Sequence, residues 1–156
     1  MSFIPTAIQL AAVGEGGNTS PLVVVSTDGG TTWAVKTVTG APTCGEFWGI
    51  SCTGAGTTAI CTAVGYGIYT GLPLLAVSTD GGTTWEAKVT DATNGGIFSG
   101  VACTGSGTAA NCIAVGMNDN HSPLLAASTD GGTTWGIKTV TDVRKGGFHG
   151  AVATSG

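Results

Sequence analysis

The octapeptide Ser-Thr-Asp-Gly-Gly-Thr-Thr-Trp occurs three times, at Ser26–Trp33, Ser78–Trp85 and Ser128–Trp135. Its serines are spaced by 52 and then 50 residues, and self-similarity at a period of this order is the mark of a repeat architecture. Each copy lies in a longer unit: PLVVVSTDGGTTWAVKTV, PLLAVSTDGGTTWEAKVT and PLLAASTDGGTTWGIKTV. Upstream of the second and third lie FWGISCTGAGTTAICTAVG and FSGVACTGSGTAANCIAVG.

A full unit predicts four short strands, near Ile50–Cys52, Ile60–Val64, Leu74–Ser78 and Trp85–Val89, separated by glycine turns that leave no room for an ordinary helix. Four antiparallel strands in about fifty residues, repeated, is the pattern of a β-propeller blade. Gln9–Gly14 matches a second strand, so the segment from Phe3 to Val13 is read as a strand; no positively charged region precedes it as in a signal peptide. Phe148–Ala153 matches a first strand. The expected organisation is therefore three blades, one of them split: repeats at approximately 1–47, 48–97 and 98–147, with 148–156 supplying strand one of the split blade.

Composition agrees with an all-β fold. The 28 glycines and 9% charged residues accompany a positive mean hydropathy, the opposite of a disordered chain. No apolar run reaches the roughly eighteen residues of a membrane helix. The net charge is −4 and the one adjacent basic pair is Arg144-Lys145, so no basic stripe offers itself to nucleic acid.

Within the octapeptide, the aspartate can fold back onto turn N–H groups while the glycines supply positive φ. Alternation beyond it places Trp33 and Val35, Trp85 and Ala87, and Trp135 and Ile137 inward. Lys36, Lys88 and Lys138 fall outward on the outermost strand, where charge discourages edge-to-edge pairing. The pattern S-x-D-x-G-x-T-W, met by Ser26, Asp28, Gly30, Thr32 and Trp33, by Ser78, Asp80, Gly82, Thr84 and Trp85, and by Ser128, Asp130, Gly132, Thr134 and Trp135, resembles the Asp-box, or bacterial neuraminidase repeat, of sialidase-like propellers. The resemblance implies a structural turn between strands three and four, away from the ligand face. One aspartate per turn does not supply the converging oxygens of a calcium site, and no other metal or cofactor is expected.

Cys52 and Cys61 flank the turn between strands one and two, and Cys103 and Cys112 do so one repeat later, both nine residues apart. Ala153 and Leu10 stand at the matching positions of the split blade, so both cysteines are absent together, as a bonded pair predicts. Opposed residues on antiparallel strands approach closely enough for a disulfide. Zinc is the rival reading, but the spacing is not C-x₂-C and no histidine is near. Cys44 is left as a free thiol. Paired cysteines favour a secreted or periplasmic setting if oxidised.

Propellers close with four to eight blades, and three leave two apolar flanks open. Two copies would make six, the number in the sialidases that the repeat resembles, with residues 151–153 of each chain completing the partial blade near Gln9–Val13 of the other. The expected partner is thus the chain itself, as a homodimer, with a nine-bladed homotrimer second. One half of a longer propeller would show the same pattern.

Positions that differ between repeats are where a ligand site would lie. The loops between strands two and three, Glu15–Ser20, Tyr66–Leu72 and Met117–Ser122, and those leading into strand one emerge on the face opposite the Asp-boxes. Trp48, Ser99 and His149 share one repeat position at the channel mouth, where an aromatic, a hydroxyl and an imidazole could bind a sugar; Trp48 could equally cap the core. Tyr66, Tyr69, Asp119 and Glu46 complete the candidate set. The Asn118-Asp119-Asn120 run reads as solvated loop rather than a calcium site. The resemblance implies three arginines and a tyrosine–glutamate pair for sialidase activity, and this chain has one arginine, Arg144. Other glycosidases need two flanking carboxylates, and nothing pairs Glu15, Glu46, Asp91, Asp119 or Asp142. The expectation is a non-catalytic scaffold or interaction module, with a glycan-binding lectin as the alternative and a glycosidase third; a glycan or a protein is the expected ligand.

Overall fold

Strands that alternate apolar side chains toward two neighbours, rather than toward one core and solvent, account for a chain with so few charges. The computed structural model describes residues 9–92, 94–143 and 145–154; Arg144 and the part of the first repeat before Gln9 lie outside it. β1 (Leu10–Glu15), β2 (Pro21–Ser26) and β3 (Ala34–Lys36) form a three-stranded antiparallel sheet. The two-residue β4 (Val38–Thr39) follows, and then β5 (Glu46–Thr53), β6 (Ile60–Tyr66), β7 (Pro73–Ser78) and β8 (Trp85–Ala87) form the second sheet, with β4 parallel on its outer edge. The third contains β9 (Gly96–Thr104), β10 (Asn111–Asn118), β11 (Pro123–Ser128) and β12 (Gly136–Ile137) in consecutive order.

All four predicted strands of the repeat are present. The first is longer than predicted because β5 takes up Trp48 as a bulge between Phe47 and Gly49 and continues pairing back to Glu46. Two cores result from the alternation. Along β7, Leu74 and Ala76 join a cluster with Val23, Val25, Phe47, Cys61, Ala63 and Trp85, between the first and second sheets. The intervening Leu75 and Val77 join Phe98, Val101, Ala114, Leu124 and Trp135, between the second and third. Period-two patterning therefore fills both faces of the middle sheet, and β6 is buried from Ile60 to Gly65.

Each buried octapeptide tryptophan wedges against the preceding sheet. Trp85 is 2% exposed and Trp135 7%. Trp33 and Val35, expected to face inward, are 46% and 71% exposed, because among the described residues no sheet precedes the first one. Phe148–Ala153, expected to supply strand one to a second chain, is not a strand within the single chain. Among the described residues, the β1 edge it was expected to complete pairs with β2 alone. The segment instead lies beside β9: the Phe148 amide donates to the Gly116 carbonyl at 3.1 Å, and a Cβ on Gly100 would come within 2.7 Å of the Gly150 Cα. Gly49 faces Gly100 at its own Cβ position, 3.7 Å from that Cα, so β5, β9 and the C-terminal segment follow one another in space. Glycine is required at 100 because backbone occupies the side-chain position.

Candidate functional site

The two ends of the sheets differ in chemistry. At one end stand the octapeptide turns, closed on themselves. In the second copy, the Ser78 hydroxyl donates to Asp80 Oδ1 at 2.8 Å and accepts from the Gly82 amide at 2.7 Å. Asp80 Oδ1 accepts from the Thr84 amide at 2.9 Å and Oδ2 from the Thr84 hydroxyl at 2.6 Å, while Trp85 Nε1 donates to the Gly82 carbonyl at 3.1 Å. The same bonds recur around Asp28 and Asp130. The Thr32 hydroxyl and amide, with the Ser26 hydroxyl, lower the Asp28 carboxyl to about 2, and Thr134 and Ser128 do the same for Asp130. Burial pushes Asp80 the other way, but Thr84 and Ser78 outweigh it and its pKa is also lowered. Both oxygens of each carboxylate are thus engaged by their own turn.

At the opposite end, one tertiary hydrogen bond is used three times. The Gly45 amide donates to the Thr19 carbonyl at 2.7 Å, Gly96 to Gly71 at 3.0 Å and Gly146 to His121 at 2.8 Å. Thr19, Gly71 and His121 all take left-handed backbone, with φ of 59°, 65° and 57°. Each latch ties the loop between the second and third strands of one repeat to the lead-in of the next repeat's inner strand. The two variable loop sets therefore do share one face, opposite the octapeptides.

On that face, Glu46 and Tyr66 oppose one another in register, both half-buried, and Tyr69 projects from the same loop with 81% exposure. Trp48 is the unpaired bulge residue of β5 and is 46% exposed. His149, exposed, holds the equivalent place in the C-terminal segment. Ser99 lies between them in repeat order, but its hydroxyl donates to the Phe148 carbonyl and is occupied. Asp119 is exposed on the loop of the third sheet, where its amide donates to the Gly95 carbonyl at 3.2 Å. The structure groups Glu46, Tyr66 and Tyr69; it sets Trp48 and His149 two inner strands apart and Asp119 on another loop. Asp91 serves the fold, its carboxylate accepting from the Ile137 amide at 2.7 Å.

Sequence comparison of the repeats alone missed a repeated cavity. A space of 350 Å³ is lined by Gly40, Pro42, Thr70, Leu72, Lys88 and Val89 among others, and one of 340 Å³ by Asp91, Asn94, Asn118, Ser122, Lys138 and Thr139. Leu72 and Ser122, and Lys88 and Lys138, are repeat equivalents, so one pocket occurs twice with different walls. The signal lay in the linkers after the fourth strand, which match poorly between repeats. A third cavity, of 250 Å³, opens on the octapeptide side between β1 and the Gly54–Ala59 turn. Among the described residues, no three of His, Cys, Asp and Glu gather to hold a metal.

The BNR/Asp-box repeat family matches residues 24–34 and 76–87. No curated protein sequence matches the chain. Among solved structures, a fucose lectin from Kordia zhangzhouensis in complex with methyl-fucoside superposes with a TM-score of 0.61 at 12% identity, over 87% of this chain and 93% of the lectin chain. YCF48 bound to D1 peptide superposes with a TM-score of 0.52 at 18% identity, over 88% of this chain and 42% of that one, so this chain spans about two fifths of the YCF48 chain. Both are β-propellers, and at these identities the likeness is one of fold.

Proposed function

We propose that this chain, which carries Asp-box repeats on a propeller-like fold, is a non-catalytic carbohydrate-binding module that presents its ligand face on a closed ring. The observation that carries the reading is the exposure of Trp48 and Tyr69 on a loop face whose backbone is latched between repeats. Rigid aromatic faces beside hydroxyl and amide groups suit the alternating apolar and polar surface of a sugar. Similarity in fold to a fucose lectin, over nearly the full length of both chains, supports it.

The carboxylates favour binding over catalysis. Those of the Asp-boxes are held within their turns, Asp91 caps β12, and the sequence has a single arginine where the sialidase resemblance implies three. The ring is proposed to form from two chains of three blades each, with exchange of the C-terminal strand. A protein-binding scaffold is the second reading, supported by exposed Leu72 and Val89 beside one linker cavity and by a fold neighbour bound to a peptide. Two disulfides fit an oxidising, extracellular setting, and among the described residues no helix is long and apolar enough to cross a membrane.

A glycan array followed by calorimetry tests the reading. Binding of at least one monosaccharide class is expected, weakened roughly tenfold, about 1.4 kcal/mol, by Trp48→Ala or Tyr69→Ala. A blank array, or affinity untouched by both substitutions, overturns it.

A further inference from the structure

The first sheet exposes Leu10, Trp33 and Val35 on the side where no sheet precedes it. Their repeat equivalents Cys61 and Trp85, and Cys112 and Trp135, are buried against the sheet before them. The third sheet leaves Ile113, Leu125 and Ala127 half-exposed on its far side, and these correspond to Thr62, Leu75 and Val77, which the next sheet covers. The two open flanks are thus the two halves of a contact the chain already makes twice within itself.

The cavity of 250 Å³ beside β1 identifies what is missing. Its walls include Gln9, Leu10, Cys52 and Gly54. One repeat later the corresponding space is filled by strand one of the second sheet. There Cys52 bonds to Cys61, the Ser51 hydroxyl accepts from the Cys103 amide at 3.1 Å and the Thr53 hydroxyl donates to the Gly105 carbonyl at 2.6 Å. Residues 152–154 are the repeat equivalents of 51–53, and Val152 is 82% exposed with no strand partner among the described residues. Within one chain they lie beyond β9 and cannot also reach β1.

We propose that this slot is the socket for Val152–Thr154 of a second copy, seated in the register of the internal sheets. Ala153 then opposes Leu10 as Cys52 opposes Cys61, Val152 opposes Ala11, Gly150 opposes Val13, and Phe148 opposes Gly14 across a bulge at His149. The Thr154 hydroxyl reaches the Gly54 carbonyl of the receiving chain, and Trp33 is buried against the third sheet of the donating chain. The proposal rests on the ring reading and gives it a residue-level seam. Occupation by a second copy, rather than by an unrelated strand, follows from the match of both flanks to the internal contact.

The test is a Leu10→Cys/Ala153→Cys double variant in a Cys44→Ser background, oxidised and run without reductant, with sedimentation of the parent chain. Cross-linked two-chain species from the double variant and none from either single variant are expected, with a parent mass twice the chain's 15.2 kDa. A parent of that mass whose double variant does not cross-link overturns this register and leaves the ring reading standing. A three-chain cross-linked ring upholds the register and overturns the six-blade count; a monomer overturns both. Should the cysteine variant fail to fold, Val35→Glu provides the second reading: halved mass with unchanged strand circular dichroism supports the seam, and an unchanged doubled mass overturns it.

Discussion

Asp28, Asp80 and Asp130 carry the chemistry of the repeat and spend it on their own turns. Each accepts from a threonine hydroxyl and amide and from a serine hydroxyl, and each is held below the usual carboxylate range as a result. A folded-state pKa below the unfolded value means the unfolded chain binds more protons in acid. The contribution to stability is then complete above the unfolded value, about 4, and is lost as the pH falls through the folded value of about 2 at Asp28 and Asp130. Thermal unfolding followed from pH 5 to pH 2 should show the melting temperature falling across that window. An Asp28→Asn/Asp130→Asn variant should lower the melting temperature at pH 5 and flatten the fall. An equal slope in both proteins would show that these turns do not govern acid stability.

Among the elements, the two inner hairpins are the ones with a covalent tie. Cys52–Cys61 and Cys103–Cys112 join directly opposed residues with Cα atoms 4.1 Å apart in each. The second disulfide also forms part of the sheet-to-sheet contact, since the Thr62 hydroxyl lies 3.8 Å from Cys112 Sγ. Closing so short a loop is worth roughly 2–3 kcal/mol on the chain-entropy account. Cys103→Ser/Cys112→Ser should therefore lower the unfolding free energy by that much, read as a lower denaturation midpoint, with strand content retained in circular dichroism. The same pairing was legible in the sequence, because the repeats served as internal controls: the split repeat lacks both cysteines. The linkers were not legible. Asp91 caps β12 and Val38 pairs with Trp85, yet the segments that carry them differ in sequence and length, so no repeat alignment exposed their common place on the outer edge.

At the scale of the whole molecule, the uneven burial of three identical tryptophans is the most informative fact. Trp33, Trp85 and Trp135 occupy the same turn with the same Nε1 bond, and they differ only in whether a sheet precedes them. If two chains cover each other's open flanks, the stability of the protein includes a term in its own concentration. The melting temperature should rise with protein concentration over a hundredfold range, and acrylamide quenching should fall as Trp33 becomes protected. A concentration-independent transition would mean that the flanks are covered in some other way or remain open.

The local determinants are in the sequence. The repeat of Ser, Asp, Gly, Thr and Trp dictates the turn, the short alternating runs dictate strands, and paired cysteines nine apart dictate opposed positions, because all of these act over a few residues. Which face of each strand is solvent was not determined there. Trp33 and Val35 read as buried by pattern and are exposed because a strand between two apolar cores looks the same in sequence whether or not its second neighbour is present. The candidate site divides in the same way. Trp48 was identifiable as a position that breaks the repeat, but its escape from the core depends on a bulge that only pairing between β5 and β6 creates. The grouping of Glu46 with Tyr66 came from the β5–β6 ladder, and the placing of the variable loops on one face from the latches between successive repeats; both are backbone bonds and leave no mark in side-chain identity.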